Sequence, residues 1–172
     1  MTNNAIISDI SCATIQATLP APVVFGDWIM KTREFVVVRV VTSTGHEGWS
    51  FTLTRDGSVA EQIRKTIAKF YIGQSVSERE RLYRVASRRS LASHSAGIGL
   101  RALSIVDLAV WDVAAKIADV SIANLLGGSN RPMPATAIIG YPPALMGPTE
   151  IEAQVRDLVN SGWNRFKAPV GA

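Results

Sequence analysis

Apolar and polar positions alternate weakly from residue 5 to residue 18, the two-residue period of a strand with one buried face. The clearest β signal is FVVVRVVTSTGHEGWSFTL: β-branched residues from Val36 to Val41, a turn at Ser43 to Gly45, and a strand from His46 to Leu53. Between these patterns LPAPVVFGDWIMKTR, residues 19 to 33, carries Pro20, Pro22 and Gly26 and reads as a loop rich in Phe25, Trp28 and Met30. The expected N-terminal element is a three-stranded antiparallel meander.

After the polar turn TRDGS the period becomes helical. Ser58 reads as an N-cap with Glu61 as its capping-box partner, and Ala60, Ile63, Ile67 and Phe70 or Tyr71 recur at helical spacing until Gly73. A second helix is predicted over 77–89 and, after the small-residue loop ASHSAGIG, a third from Leu100 to about Ala118. The third is apolar on nearly every side, so it must be buried on more than one face. Asp112 and Lys116 stand four apart and can pair on the strip that remains. Asp107, flanked by apolar residues, reads as a buried carboxylate satisfied by backbone or an arginine, with no second titratable group near it in sequence.

Gly127-Gly128 ends the helical part and SNRPMP reads as a linker. Beyond it come a strand over 135–140, a helix over 149–161 with Ile151, Val155, Leu158 and Val159 on one face, and a strand over 165–170. Strand, helix, strand at this spacing is a βαβ unit with parallel strands. The fold class is thus an α+β domain, a meander plus a helical bundle, over 1–128. A linker over 129–134 and the first βαβ of an incomplete (β/α) TIM-type barrel over 135–172 follow it. A whole barrel takes roughly 250 residues, so the chain is expected to be truncated.

Composition narrows the class. With 47% hydrophobic and 19% charged residues, the chain has material for a core. Cys12 is the single cysteine, which excludes an internal disulfide and favours a reducing, cytoplasmic setting. The N-terminus has neither a signal-peptide pattern nor an apolar run long enough to span a bilayer. The net charge of +4 concentrates in SERERLYRVASRRS, but Glu78 and Glu80 are interleaved there and Leu82 and Val85 make a docking stripe. That is a solvated helix face and not a nucleic-acid platform; a positive balance also suits an anionic small molecule.

Three segments carry a family resemblance: ALSIVDLAVWDVAAK from Ala102 to Lys116, ANLLGG from Ala123 to Gly128, and GWNRFKAPVG from Gly162 to Gly171. The first two resemble the helical signature of the mandelate racemase/muconate-lactonizing branch of the enolase superfamily, between its capping domain and its barrel. The resemblance implies a barrel enzyme in which magnesium, held by three carboxylates on later strands, stabilises the enediolate formed when a base removes the proton α to a substrate carboxylate. An α-proton is too weakly acidic for a side-chain base unless the developing charge is neutralised. The second barrel strand of this branch often bears Lys-X-Lys; Lys167 matches the first lysine and Pro169 stands at the second.

A base on that strand is therefore not expected. A dehydratase with a histidine base on a later strand, and Lys167 as electrostatic helper beside the substrate carboxylate, fits instead. Substrate discrimination would fall to Phe25 and Trp28 in the first loop and to Thr52 and Arg55 after the meander. The family's cofactor is magnesium, with none expected for this chain alone, whose metal ligands would lie beyond Ala172. The partner implied is a small acid sugar, with neither nucleic acid nor membrane, and self-association or a homo-oligomer is expected. His46 reads as a strand residue and His94 as a loop residue; Gly97 and Gly99 follow no strand of a βαβ unit and are not a phosphate loop. Trp28 fits either a pocket wall or the core. The alternative is a non-catalytic α+β binding or assembly module that keeps the capping fold.

Overall fold

The computed structural model describes residues 5–25, 27–90, 96–129, 131–141 and 146–169. The chain divides into two units, Met1–Gln16 with Glu34–Asn130, and Ala17–Arg33 with Arg131–Ala172. A three-stranded sheet is ordered β1 (Ile7–Phe25), β2 (Trp28–Thr42), β3 (Glu47–Leu53), with β2 and β3 antiparallel from Phe35↔Leu53 to Val41↔Glu47. The expected loop over 19–33 is instead the end of β1 and the start of β2. Pro20 and Pro22 are tolerated because β1 is an edge strand, and residues two apart direct their missing N–H groups to the same side. Gly26 and the side chain of Phe25 lie outside the described residues.

Val36, Val38 and Val40 are buried on one face of β2. Against that layer pack α1 (Val59–Gln62), a π turn over Ile63–Ile67, a 3₁₀ turn over Ala68–Phe70, and the helices α2 (Arg79–Arg89) and α3 (Gly97–Ile117). The predicted first helix is thus three short helical types in series. Its buried positions Val59, Ile63, Ile67 and Tyr71 are spaced four apart, a stripe that drifts on an α-helix; the wider π turn takes up the difference. The capping box is absent: Ser58 makes no cap hydrogen bond, and Glu61 pairs with Lys65 one turn on. In α3, Gly97 and Gly99 belong to the first turn, so the helix starts earlier than Leu100.

α3 runs along β3 in a way that its composition explains. Ser50 Oγ donates to Ile105 O at 2.6 Å, Arg101 Nη1 donates to Thr52 Oγ1 at 3.3 Å, and Gly48 lies against Ala109 and Val113. Two residues of strand advance about 6.7 Å and four of helix about 6 Å, so Gly48, Ser50 and Thr52 meet successive turns at 109, 105 and 101. The inner face of β3 is therefore small and polar, while Trp49 and Phe51 point away and are 47% and 69% exposed. The expected Asp112–Lys116 pair forms at 2.7 Å. It also serves β3: Asp112 Oδ2 accepts from Trp49 N at 2.8 Å and Lys116 Nζ donates to Glu47 O at 3.1 Å. Arg101 Nη1 likewise donates to Leu53 O at 3.0 Å. The helix thereby satisfies backbone groups of a strand that has a partner on one side only.

α4 (Ile122–Leu125) is capped by Ser121, whose hydroxyl accepts from Asn124 N at 3.1 Å. In the second unit β4 (Ala137–Ile138) and β5 (Phe166–Lys167) are parallel and flank α5 (Pro148–Asn160) in sequence. The strands are shorter than the patterns over 135–140 and 165–170, and the order and direction are those expected.

Candidate active-site elements

Lys167 sits on β5 in register with Ile138 of β4. Paired residues of neighbouring strands share a face, so Ile138 and Lys167 lie on one side and Ala137 and Phe166 on the other. The first side is open, with Ile138 61% exposed and Lys167 exposed, whereas Ile139, one residue on and therefore on the opposite side, is buried. Pro169, two residues after Lys167, carries no titratable group. β4 turns sharply at Gly140, whose φ of 64° suits glycine and whose N donates to Gln154 Oε1 of α5 at 2.9 Å.

Just past the C-terminal end of β4, Tyr141 Oη accepts a hydrogen bond from Arg33 Nη2 at 3.5 Å. Arg33 Nε is buried and without a hydrogen-bond partner among the described residues. Neither residue was singled out in the sequence, because the link between them spans 108 residues and neither belongs to a motif. Trp28, in the same unit, is 53% exposed at the start of β2.

Thr52 and Arg55 belong to the first unit. Thr52 borders a cavity of about 360 Å³ with Phe51, Leu100, Arg101, Ser104 and Leu108, and its hydroxyl is engaged by Arg101. Arg55 follows β3 in the left-handed region with φ 54°, as does Asp56 with φ 60°, so the turn TRDGS places two non-glycine residues there. His46 is exposed, with Nδ1 2.9 Å from Thr44 Oγ1. His94 lies outside the described residues.

Asp107 differs from its sequence reading. It is half-buried on α3, its Oδ1 has no partner among the described residues, and the nearby arginine, Arg79, stacks its guanidinium 4.2 Å from the centre of the Trp111 ring. Burial pushes the Asp107 carboxyl up to about 6, against the opposing pull of a Trp111 hydrogen bond and the Arg79 charge. The second titratable group absent from the sequence neighbourhood is supplied in space by Tyr71, fully buried, with its hydroxyl unpartnered and its pKa raised by burial and by Asp107. The folded state thus holds the Asp107 proton more tightly than the unfolded chain does, and its relative stability falls as pH rises from about 4 to about 6. Asp107→Asn should therefore be more stable than the parent at pH 7, on the order of 1 kcal/mol once solvent screening is allowed for. Urea unfolding from pH 4 to 7 should show the parent losing ground to the variant. Parallel profiles would mean that the Arg79 charge compensates for burial.

Among the described residues no three His, Cys, Asp or Glu side chains are grouped so as to hold a metal ion. Nor is any described helix long and apolar enough to cross a membrane.

A three-stranded antiparallel sheet backed by helices, followed by parallel strands flanking a helix, defines the class: a capping domain leading into a β/α structure. Residues 9–127 match the family described as "Mandelate racemase / muconate lactonizing enzyme, N-terminal domain", and the chain belongs to that family. Arabinonate dehydratase of Saccharolobus solfataricus is 28% identical over 81% of this chain and 38% of its own length. A D-galactonate dehydratase family member from Cellvibrio japonicus is 31% identical over 58% and 25% respectively. An enolase from Bradyrhizobium, solved with magnesium and mandelic acid, superposes with a TM-score of 0.82 at 19% identity, covering 98% of this chain and 46% of that one. The chain therefore spans less than half the length of each of these proteins.

Proposed function

We propose that this chain is the capping domain and first barrel strands of an acid-sugar dehydratase. The observation that carries the reading is Lys167, exposed on the open face of the β4–β5 pair at the position where the family resemblance places a lysine. The similarity to arabinonate dehydratase over most of the chain supports the substrate class. The reaction removes the proton α to a carboxylate and expels the β-hydroxyl as water. Lys167 stabilises the charge that develops on the carboxylate oxygens as the α-proton leaves, a role suited to an ammonium held on a strand. Pro169, two residues beyond Lys167, can neither take nor give a proton, so the base is not at that position.

Magnesium does not fit the described residues, which group no three ligating side chains. β4 and β5 present strand edges and the exposed Ile138, so the chain by itself is expected to self-associate. The test is to assay a longer protein that contains this chain with aldonates and aldarates in the presence of magnesium, detecting the 2-keto-3-deoxy acid, beside the 172-residue chain as a control. Product from the longer protein alone supports the proposal. Product from neither favours a capping-fold binding module.

A further inference from the structure

We infer that Arg33 and Tyr141 form an anion-recognition element that selects an acid sugar with a second carboxylate at the end remote from the reacting carbon; this rests on the dehydratase reading. Arg33 is half-buried, its Nε has no hydrogen-bond partner, and no carboxylate pairs with it among the described residues. A guanidinium is charged at every accessible pH, and withdrawing it from water without a counter-charge is costly unless a ligand supplies one. Arg39, Arg81 and Arg156 each have a carboxylate partner, in Glu47, Glu78 and Glu152, and Arg79, whose Nε is also unpartnered, stacks on the Trp111 ring.

The location selects the ligand. Tyr141 follows the C-terminal end of β4, the end at which β/α barrels bind their substrates, and Arg33 reaches it from the start of β2 within the same unit. Lys167 is level with Ile138, three residues below Tyr141, a separation of up to roughly 10 Å along an extended chain. Two cationic groups so placed match a linear diacid: the reacting carboxylate at Lys167, and the remote one at Arg33 with Tyr141 Oη beside it. The planar guanidinium offers Nε–H and an Nη–H side by side, the fork that a carboxylate accepts in bidentate fashion. A monoacid of the same length would leave the Arg33 charge unpaired.

The Nε–Hε signal of Arg33 reports occupancy without turnover. The 172-residue chain, labelled with nitrogen-15, is titrated with D-glucarate, D-gluconate and D-sorbitol, beside Arg33→Lys, Arg33→Gln and Tyr141→Phe variants. Glucarate is expected to shift the Arg33 signal saturably, gluconate at least tenfold more weakly, and sorbitol not at all. Tyr141→Phe should weaken the glucarate response several-fold. The Arg33 variants, whose remaining spectrum shows whether they fold, should lose the glucarate-induced shifts of neighbouring amides. Equal responses to glucarate and gluconate, or no response to either, overturn the inference. A glucarate response with no dehydration of any acid sugar by the longer protein leaves the inference standing and rejects the dehydratase reading; dehydration with a silent Arg33 does the reverse.

Discussion

Gly48→Ala is expected to cost about 3–5 kcal/mol, a large part of the 5–15 kcal/mol that usually separates folded from unfolded domains. A Cβ at this position would sit 2.0 Å from Ala109 O, 2.7 Å from Val113 N and 2.8 Å from Val113 Cβ. The first two are backbone atoms of a long helix, so no rotamer change relieves the clash. β3 and α3 would have to separate, stretching the Ser50–Ile105 and Trp49–Asp112 hydrogen bonds with them. Gly45→Ala is the control: its φ of 82° makes alanine strained, but nothing lies within 4 Å of the added Cβ, and a loss of only about 1–2 kcal/mol is expected. Urea denaturation of both variants measures the difference. A Gly48→Ala protein within about 1 kcal/mol of the parent would show that the two layers can part cheaply.

Lys167→Ala is expected to act in the opposite way, with little effect on stability and a large one on rate. Lys167 is exposed and forms no ion pair among the described residues, so its removal should shift unfolding by no more than about 0.5 kcal/mol. In the proposed dehydratase the ammonium acts on charge that appears only as the α-proton leaves. Its loss should therefore lower kcat by about 100-fold or more and change KM less. Lys167→Arg should recover only part of the rate, because a planar guanidinium places its charge differently from a compact ammonium. An unchanged kcat would reduce Lys167 to a solubilising residue on the open face of the sheet.

Much of the architecture was legible from periodicity. The β-branched run from Val36 to Val41 determined β2, the all-round apolar pattern after Leu100 determined a helix held between layers, and the spacing of Asp112 and Lys116 determined their pairing. These features depend on which side chains must leave water, information that is local and repeats with the period of the element. The family signature could be read for the same reason, since its two segments are each continuous in sequence, one within α3 and the other over the end of α4.

What only the tertiary structure decided depends on neighbours distant in sequence. Pro20 and Pro22 argued for a loop because proline removes a donor; the sheet accepts them because β1 lies at its edge. Asp107 had no titratable neighbour in sequence, yet folding brings it under the influence of Tyr71 and Arg79, and burial raises its pKa to about 6. Arg33 and Tyr141 meet across 108 residues. Local pattern fixes which face of an element is buried, but the partner on that face, and the charge left without one, follow from how the layers pack.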